Sequence, residues 1–229
     1  MHAALVQCAS LVECTLVIDV LRPAAQSLAH GPEIVTIPFL RELKVMVKDS
    51  YPSTLYAEFL DPLVLPSLEK LSLEPWKELG EWGSSSALIA LLDRSCCPLT
   101  HLRLHNFGQT DLEPVLELTP LLTHLSANDV SLTASLQQQI GRCVLVPHLQ
   151  TLECRIDSSV GEDFVRMIYA RWVTTARRAS SSLQGDLRSL CLHTPHPTQH
   201  TEVGFLSQLK DIARSLGLMD RSITLNLDR

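Results

Sequence analysis

Aromatic residues are scarce in this chain, 11 of 229, and there are only 9 isoleucines against 42 leucines. Rings are too few to organise the core, and the leucine excess points to a repeated packing unit. Basic charge is also short. The 19 Lys and Arg against 25 Asp and Glu leave a net charge of −6, which argues against a protein that wraps nucleic acid by neutralising phosphates. No stretch of 18 or more residues is free of charge and polarity, and Glu13 and Asp19 break the apolar N-terminus, so no membrane span is expected. Met1-His2-Ala3 offers neither the basic start nor the cleavage site of a signal peptide. The nine glycines form no phosphate cradle, and GxSxG, P-loop, dinucleotide-fingerprint and HExxH patterns are all missing. No enzyme and no cofactor is therefore expected. Seven cysteines, an odd number without a CxxC pair, suit neither a disulfide framework nor a zinc ribbon. They are expected to be reduced and mostly buried, which places the chain in cytosol or nucleus. With 45% hydrophobic and 19% charged residues, the chain has material for a sizeable core, and a disordered reading is excluded.

What the chain does have is a phrase, LxxLxL, repeated seven times. It starts at Leu11, Leu40, Leu68, Leu99, Leu122, Leu149 and Leu187, at intervals of 29, 28, 31, 23, 27 and 38 residues. The fourth position holds Cys14, Leu43, Leu71, Leu102, Leu125, Leu152 and Leu190, and the sixth holds Leu16, Val45, Leu73, Leu104, Ala127, Cys154 and Leu192. All are apolar or cysteine. Alternation with period two marks a strand with one buried face, and one such strand per repeat stacks into a parallel sheet. Ile223-Thr224-Leu225-Asn226-Leu227 offers an eighth strand.

Between the phrases the apolar period becomes helical. Ser84 to Ser86 cap a segment with Leu88, Leu91 and Leu92 on one face; Thr110 or Asp111 starts another with Leu112, Val115 and Leu116 inward and Pro114 tolerated in the first turn. Leu132, Leu136 and Ile140 space a third. A longer helix over 161–179 buries Phe164, Val165, Ile168, Tyr169 and Trp172, with Glu162 and Asp163 at its start and Arg177 and Arg178 at its end, as the helix dipole favours. A last one, 201–216, carries Val203, Leu206, Leu209, Ile212 and Ala213 inward and stops at Gly217. The expected architecture is α/β: a leucine-rich-repeat solenoid of seven to eight repeats, a single domain over 1–229, with a parallel sheet on the concave face, helices on the convex face, and 195–229 as a C-terminal cap. The opening, Ala3 to Cys8, reads as the tail of a helix with no start signal, so the array is expected to lack cover at its N-terminal end.

Positions three, five and seven alternate with the buried ones and face outward on the concave side. The middle strands carry His101, Arg103, His105, His124 and Arg155 there, a mildly basic strip, with Asn128, Glu153 and Lys44 beside it. These eight residues are the candidate partner-binding set, suited to an acidic peptide or loop. His101 and His124 occupy the same position of consecutive repeats, within ~5 Å of each other on neighbouring strands, but His105 would lie ~13 Å along the strand, and two ligands do not make a zinc site. No metal is expected there. His193, His196 and His200 read as a solvated loop, Cys96-Cys97 as buried packing at a helix end, and Trp76 and Trp82 as convex-side packing.

The wording of several repeats points further. Leu5 to Cys14 (LVQCASLVEC), Leu92 to Leu102 (LDRSCCPLTHL), Val146 to Leu152 (VPHLQTL) and the long helix bearing Arg171-Trp172 resemble the leucine-rich-repeat region of F-box-like proteins of basidiomycete fungi, over most of residues 5–217. The resemblance implies a substrate-recruiting subunit of a cullin-type ubiquitin ligase, in which the F-box binds the adaptor and the repeats hold the target. No F-box phrase precedes these repeats, so adaptor binding is not expected of residues 1–229 alone. The expected function is a protein-interaction module; the alternative is a leucine-rich-repeat scaffold, regulator or inhibitor unconnected to ubiquitin.

Overall fold

A computed structural model describes residues 10–18, 34–47, 57, 59–75, 85–105, 112–127, 132–155, 161–178, 187–194, 199–218 and 221–227. The chain divides into two compact units, Met1–Thr119 and Pro120–Arg229. The first contains β1 (Glu13–Ile18), β2 (Val35–Thr36), β3 (Glu42–Val47), β4 (Leu63–Val64), β5 (Lys70–Pro75), α1 (Ser86–Ser95), β6 (His101–Leu104) and α2 (Leu112–Glu117). The second contains β7 (His124–Ala127), α3 (Ala134–Gly141), β8 (Thr151–Arg155), α4 (Gly161–Arg178), β9 (Ser189–Thr194), α5 (Gln199–Ser215) and β10 (Ser222–Leu227). Each of the seven LxxLxL phrases becomes a strand, and so does the alternation that follows them.

Strand pairing follows the repeat frame without offset. In the first unit β1, β3, β5 and β6 pair parallel in that order, aligning Cys14, Leu43, Leu71 and Leu102, and two residues on Leu16, Val45, Leu73 and Leu104. In the second unit β7, β8, β9 and β10 do the same, aligning Leu125, Leu152, Leu190 and Ile223, then Ala127, Cys154, Leu192 and Leu225. A one-residue slip would turn every leucine to the polar side, so the leucine spacing itself specifies the register. One backbone device recurs at the strand starts. The carbonyl of position two accepts two N–H groups from the following repeat: Val12 from Arg41 and Glu42, Arg41 from Glu69 and Lys70, Glu69 from Thr100 and His101. In the second unit Thr123 accepts from Gln150 and Thr151, and Gln150 from Arg188 and Ser189.

Positions one, four and six of the second to seventh repeats are all buried, and each fully buried leucine contributes about 1.5–3 kcal/mol. Leu11, Cys14 and Leu16 are only half-buried, because β1 pairs with β3 alone among the described residues. The helices cover this apolar side: Leu88, Leu91 and Leu92 of α1, Leu112, Val115 and Leu116 of α2, and Leu209 and Ala213 of α5 are buried. Gly217 ends α5 with φ +71, and the Leu218 N–H reaches back to the Ala213 carbonyl at 2.8 Å. A short parallel pair, β2 with β4, adds a second ladder that two-residue strands do not announce in a sequence.

Several expectations are corrected. Ser85 takes the N-cap position of α1, but its side chain makes no capping bond. Leu132 precedes α3; Thr133 caps it, accepting from the Leu136 N–H at 3.3 Å. In α4 the buried face is Phe164, Met167, Ile168, Arg171 and Trp172, while Tyr169 is 48% exposed and Val165 half-buried. Both flanks satisfy helical spacing; the apolar residues favour one, and the hydrogen bonds of Arg171 select the other. The thiols are not mostly buried: of six described cysteines only Cys143 and Cys154 are. Cys96 is exposed at the left-handed C-cap of α1, where its side chain faces outward, and Cys97 is half-buried. Residues Trp76, Trp82, Thr110, Asp111, His196 and Ala3 to Cys8 lie outside those described.

Arg171 is wholly buried. Its Nη1 donates to the Ile140 carbonyl at 2.9 Å, and its Nη2 to those of Val146 at 2.9 Å, Leu149 at 3.1 Å and Pro147 at 3.3 Å. The next residue, Trp172, sends its Nε1–H to the Leu187 carbonyl at 3.2 Å. Two successive side chains of α4 therefore hold the approaches to β8 and β9. At Gly141 a Cβ would meet the Met167 carbonyl oxygen at 3.0 Å, so glycine is what lets α3 approach α4 so closely.

Candidate functional site

The alternation that buries positions four and six leaves positions three, five and seven on the other side of the strands. In the first unit this polar side is laced by ion pairs between neighbouring strands. Lys70 donates to Glu42, its register partner, at 3.0 Å, and that bond holds the Lys70 ammonium above its ordinary range. Glu74 is a hub, with Lys44 Nζ at 2.8 Å, Arg103 Nη1 at 3.6 Å and the Ser72 hydroxyl at 2.7 Å. Burial acts to raise the Glu74 pKa, but the hydrogen bonds from Lys44 and Ser72 and the charges of Lys44 and Arg103 outweigh it and hold the carboxyl below 4.5.

Because that pKa is lower folded than unfolded, the stabilisation it brings is fully present above pH 4.5 and is lost as pH falls through the folded value. Glu74→Gln should cost up to about 1 kcal/mol at neutral pH, the usual scale for a partly exposed pair. The gap between wild type and variant should close on acidification. Urea unfolding at a series of pH values reads this directly, and a gap independent of pH would show that shape rather than charge carries the effect.

His101 and His124 follow threonines and use them alike. Thr100 Oγ1 lies 2.9 Å from His101 Nδ1, and Thr123 Oγ1 lies 2.8 Å from His124 Nδ1. The Thr100 hydroxyl gives its one proton to the Glu69 carbonyl at 3.0 Å, so His101 Nδ1 is the donor in their contact. Burial lowers the pKa of His124, which keeps that ring neutral at pH 7. His105 follows β6 and is half-buried, its N–H bonded to the Leu73 carbonyl.

In the second unit, register places Ser126 beside Glu153, Glu153 beside Cys191, and Arg155 beside His193. His193 Nε2 is 3.0 Å from Glu153 Oε1 and 3.8 Å from Cys191 Sγ. All three groups are half-buried. Burial, then the Glu153 charge, push the Cys191 thiol up. Burial is the main cause that pushes Cys97 up, and it pushes Cys154, fully buried, much further. On the helical side, a cleft of about 490 Å³ between α3 and α4 is lined by Gln137, Arg142, Asp163 and Arg166, with Arg166 already paired to Glu162 and Asp163.

The eight candidate residues are thus distributed as follows. Lys44 and Arg103 meet on Glu74, a residue absent from the set, so these two positive charges are compensated locally. Glu153 meets His193, which belongs to β9 and not to a solvated loop. His101, His105, His124 and Arg155 occupy polar-side positions, and Asn128 lies outside the described residues. Sequence reasoning missed Glu74 and the Glu153–Cys191–His193 cluster, although the repeat frame already placed all four at outward positions; a search across strands, instead of among histidines, finds them. Among the described residues no helix is long and apolar enough to cross a membrane. Comparison with family models, curated proteins and solved structures gave no match.

Proposed function

We propose that this chain is a leucine-rich-repeat module that binds a protein partner on the polar side of its strands. The observation that carries the reading is the zero-offset register, which sets outward positions of successive repeats side by side at ~4.8 Å. Such a side presents many side chains to an extended or loop segment at once, the common use of repeat architectures. The ion pairs around Glu74 hold part of that side in one arrangement before a partner arrives. Arg155, half-buried on β8, is the cation placed to meet a carboxylate-bearing segment. Membership of a ubiquitin ligase rests on repeat wording alone and is part of this proposal only in that form.

Photo-crosslinking tests it. A crosslinking residue at Thr151 or Ser189 should capture one and the same protein from cells, and the same residue at Asp93 on α1 should not. Arg155→Glu should then weaken the isolated complex about tenfold, roughly 1.4 kcal/mol, and added salt should weaken it too. Capture from Asp93 with silence at the strand positions would move the interface to the helices and end this reading.

A further inference from the structure

The polar side of the second unit carries a cluster of three donor side chains. Glu153 on β8 and Cys191 and His193 on β9 bring a carboxylate oxygen, a thiol sulfur and an imidazole nitrogen within 4.8 Å of one another. From the Glu153–Cys191–His193 cluster we infer a zinc-binding site that clamps β8 to β9 and keeps its fourth coordination position for water.

Zinc at ordinary bond lengths in a tetrahedron separates its donor atoms by roughly 3.4–3.6 Å. His193 Nε2 stands 3.0 Å from Glu153 Oε1 and 3.8 Å from Cys191 Sγ, so rotamer adjustments well below the width of an atom bring the three donors onto one ion. The strands supply the rigidity. Glu153 and Cys191 are register partners, and Cys191 and His193 are two apart on one strand and so share a side.

Donor chemistry selects the metal. Magnesium and calcium take oxygen ligands, whereas a mixed sulfur, nitrogen and oxygen set suits zinc. Three protein ligands plus water is the composition of an open zinc site.

An independent observation comes from β7. Ser126 stands in register beside Glu153, is 8% exposed, and its Oγ is buried without a hydrogen-bond partner among the described residues. Such a hydroxyl costs free energy unless something at the cluster receives it. Ser126 stands one strand spacing from Glu153, so a water held on the metal is the group that would give this hydroxyl a partner. Ser126 is thus a positioning residue for the site.

A competing use of the same residues, a thiol–imidazole–carboxylate relay, does not fit. In a relay the nucleophile and the orienting carboxylate use opposite ring nitrogens. Here sulfur and carboxylate both approach Nε2. Convergence on one point is what a metal requires and a relay forbids. Zinc takes the thiolate form of a cysteine, so uptake releases a proton and should strengthen as pH rises.

Cobalt(II) is the probe, because tetrahedral thiolate coordination gives it a ligand-field spectrum and a sulfur charge-transfer band that zinc then abolishes by displacement. The full chain should take up one equivalent with both features, and zinc should raise its Tm. Cys191→Ser should lose the charge-transfer band, His193→Ala the tetrahedral spectrum, and Ser126→Ala should weaken zinc about 10-fold in chelator competition, the usual effect of an outer partner. Cys96→Ser with Cys97→Ser serves as the control that must leave everything unchanged. Circular dichroism establishes that each variant is folded. A folded wild-type chain without the charge-transfer band, or a band that survives Cys191→Ser and vanishes in the Cys96/Cys97 control, overturns the inference.

Discussion

Arg171→Met is expected to remove about 3–5 kcal/mol of stability, the scale of breaking a buried charged interaction. The guanidinium is 0% exposed and bonds four main-chain carbonyls, of Ile140, Val146, Pro147 and Leu149. Methionine preserves much of the apolar stem but leaves those oxygens in a closed space, and each buried acceptor without a donor costs about 1–3 kcal/mol. The sum overstates the loss, because the variant no longer has to bury a charge. The turn that carries these carbonyls is itself strained. Cys143 and Val146 have φ of 55 and 43, a region that residues other than glycine enter at about 1–3 kcal/mol each, the β-branched Val146 least readily. The guanidinium holds that turn by the Val146 carbonyl itself. Arg171→Lys should rescue little, since one ammonium cannot replace a planar fork reaching both Ile140 and Leu149. Denaturant unfolding should therefore rank wild type above Lys and Lys above Met. A methionine variant within 1 kcal/mol of wild type would mean that water satisfies these carbonyls and that Arg171 is no clamp.

Nothing in the sequence pattern marks Arg171 as buried. The strand frame was legible because each LxxLxL phrase encodes its own buried face, and stacking copies repeats the same register; Leu43, Leu71 and Leu102 align because all are fourth residues. Gly217 was legible because a helix end with positive φ favours glycine. Arg171 was not, since its partners are carbonyls 22 to 31 residues earlier, and carbonyls have no letter. Arginine within a helical pattern reads as surface, so the face of α4 was drawn through Tyr169 instead of Met167. The candidate site shows the same limit. Its positions followed from alternation, but Lys44, Glu74 and Arg103 come from three strands, and only side-chain reach decides that a carboxylate answers both cations. A charge count along the strip sees cations where the fold sets two of them on one carboxylate.

Trp172→Ala should cost about as much as the Arg171 change, about 3–5 kcal/mol for a large buried ring, but it should loosen a different part of the unit. The indole is 1% exposed, and its N–H bonds the Leu187 carbonyl, the residue that opens the seventh repeat. Trp172→Phe separates the two contributions. It keeps most of the packing and should lose about 1–2 kcal/mol, for the unanswered Leu187 carbonyl and the ring volume. Hydrogen exchange then distinguishes the neighbours. Local opening follows contiguous structural segments, so the Trp172 variants should release amides of β9 such as Leu190 and Leu192. Arg171→Met should release first those of the turn, Cys143 to Leu145, whose N–H groups bond back to Gln139 and Ile140. If both substitutions deprotect the same amides to the same extent, α4 detaches as one body and the assignment of one strand approach to each side chain is wrong. If they separate, two adjacent letters of one helix secure two successive repeats.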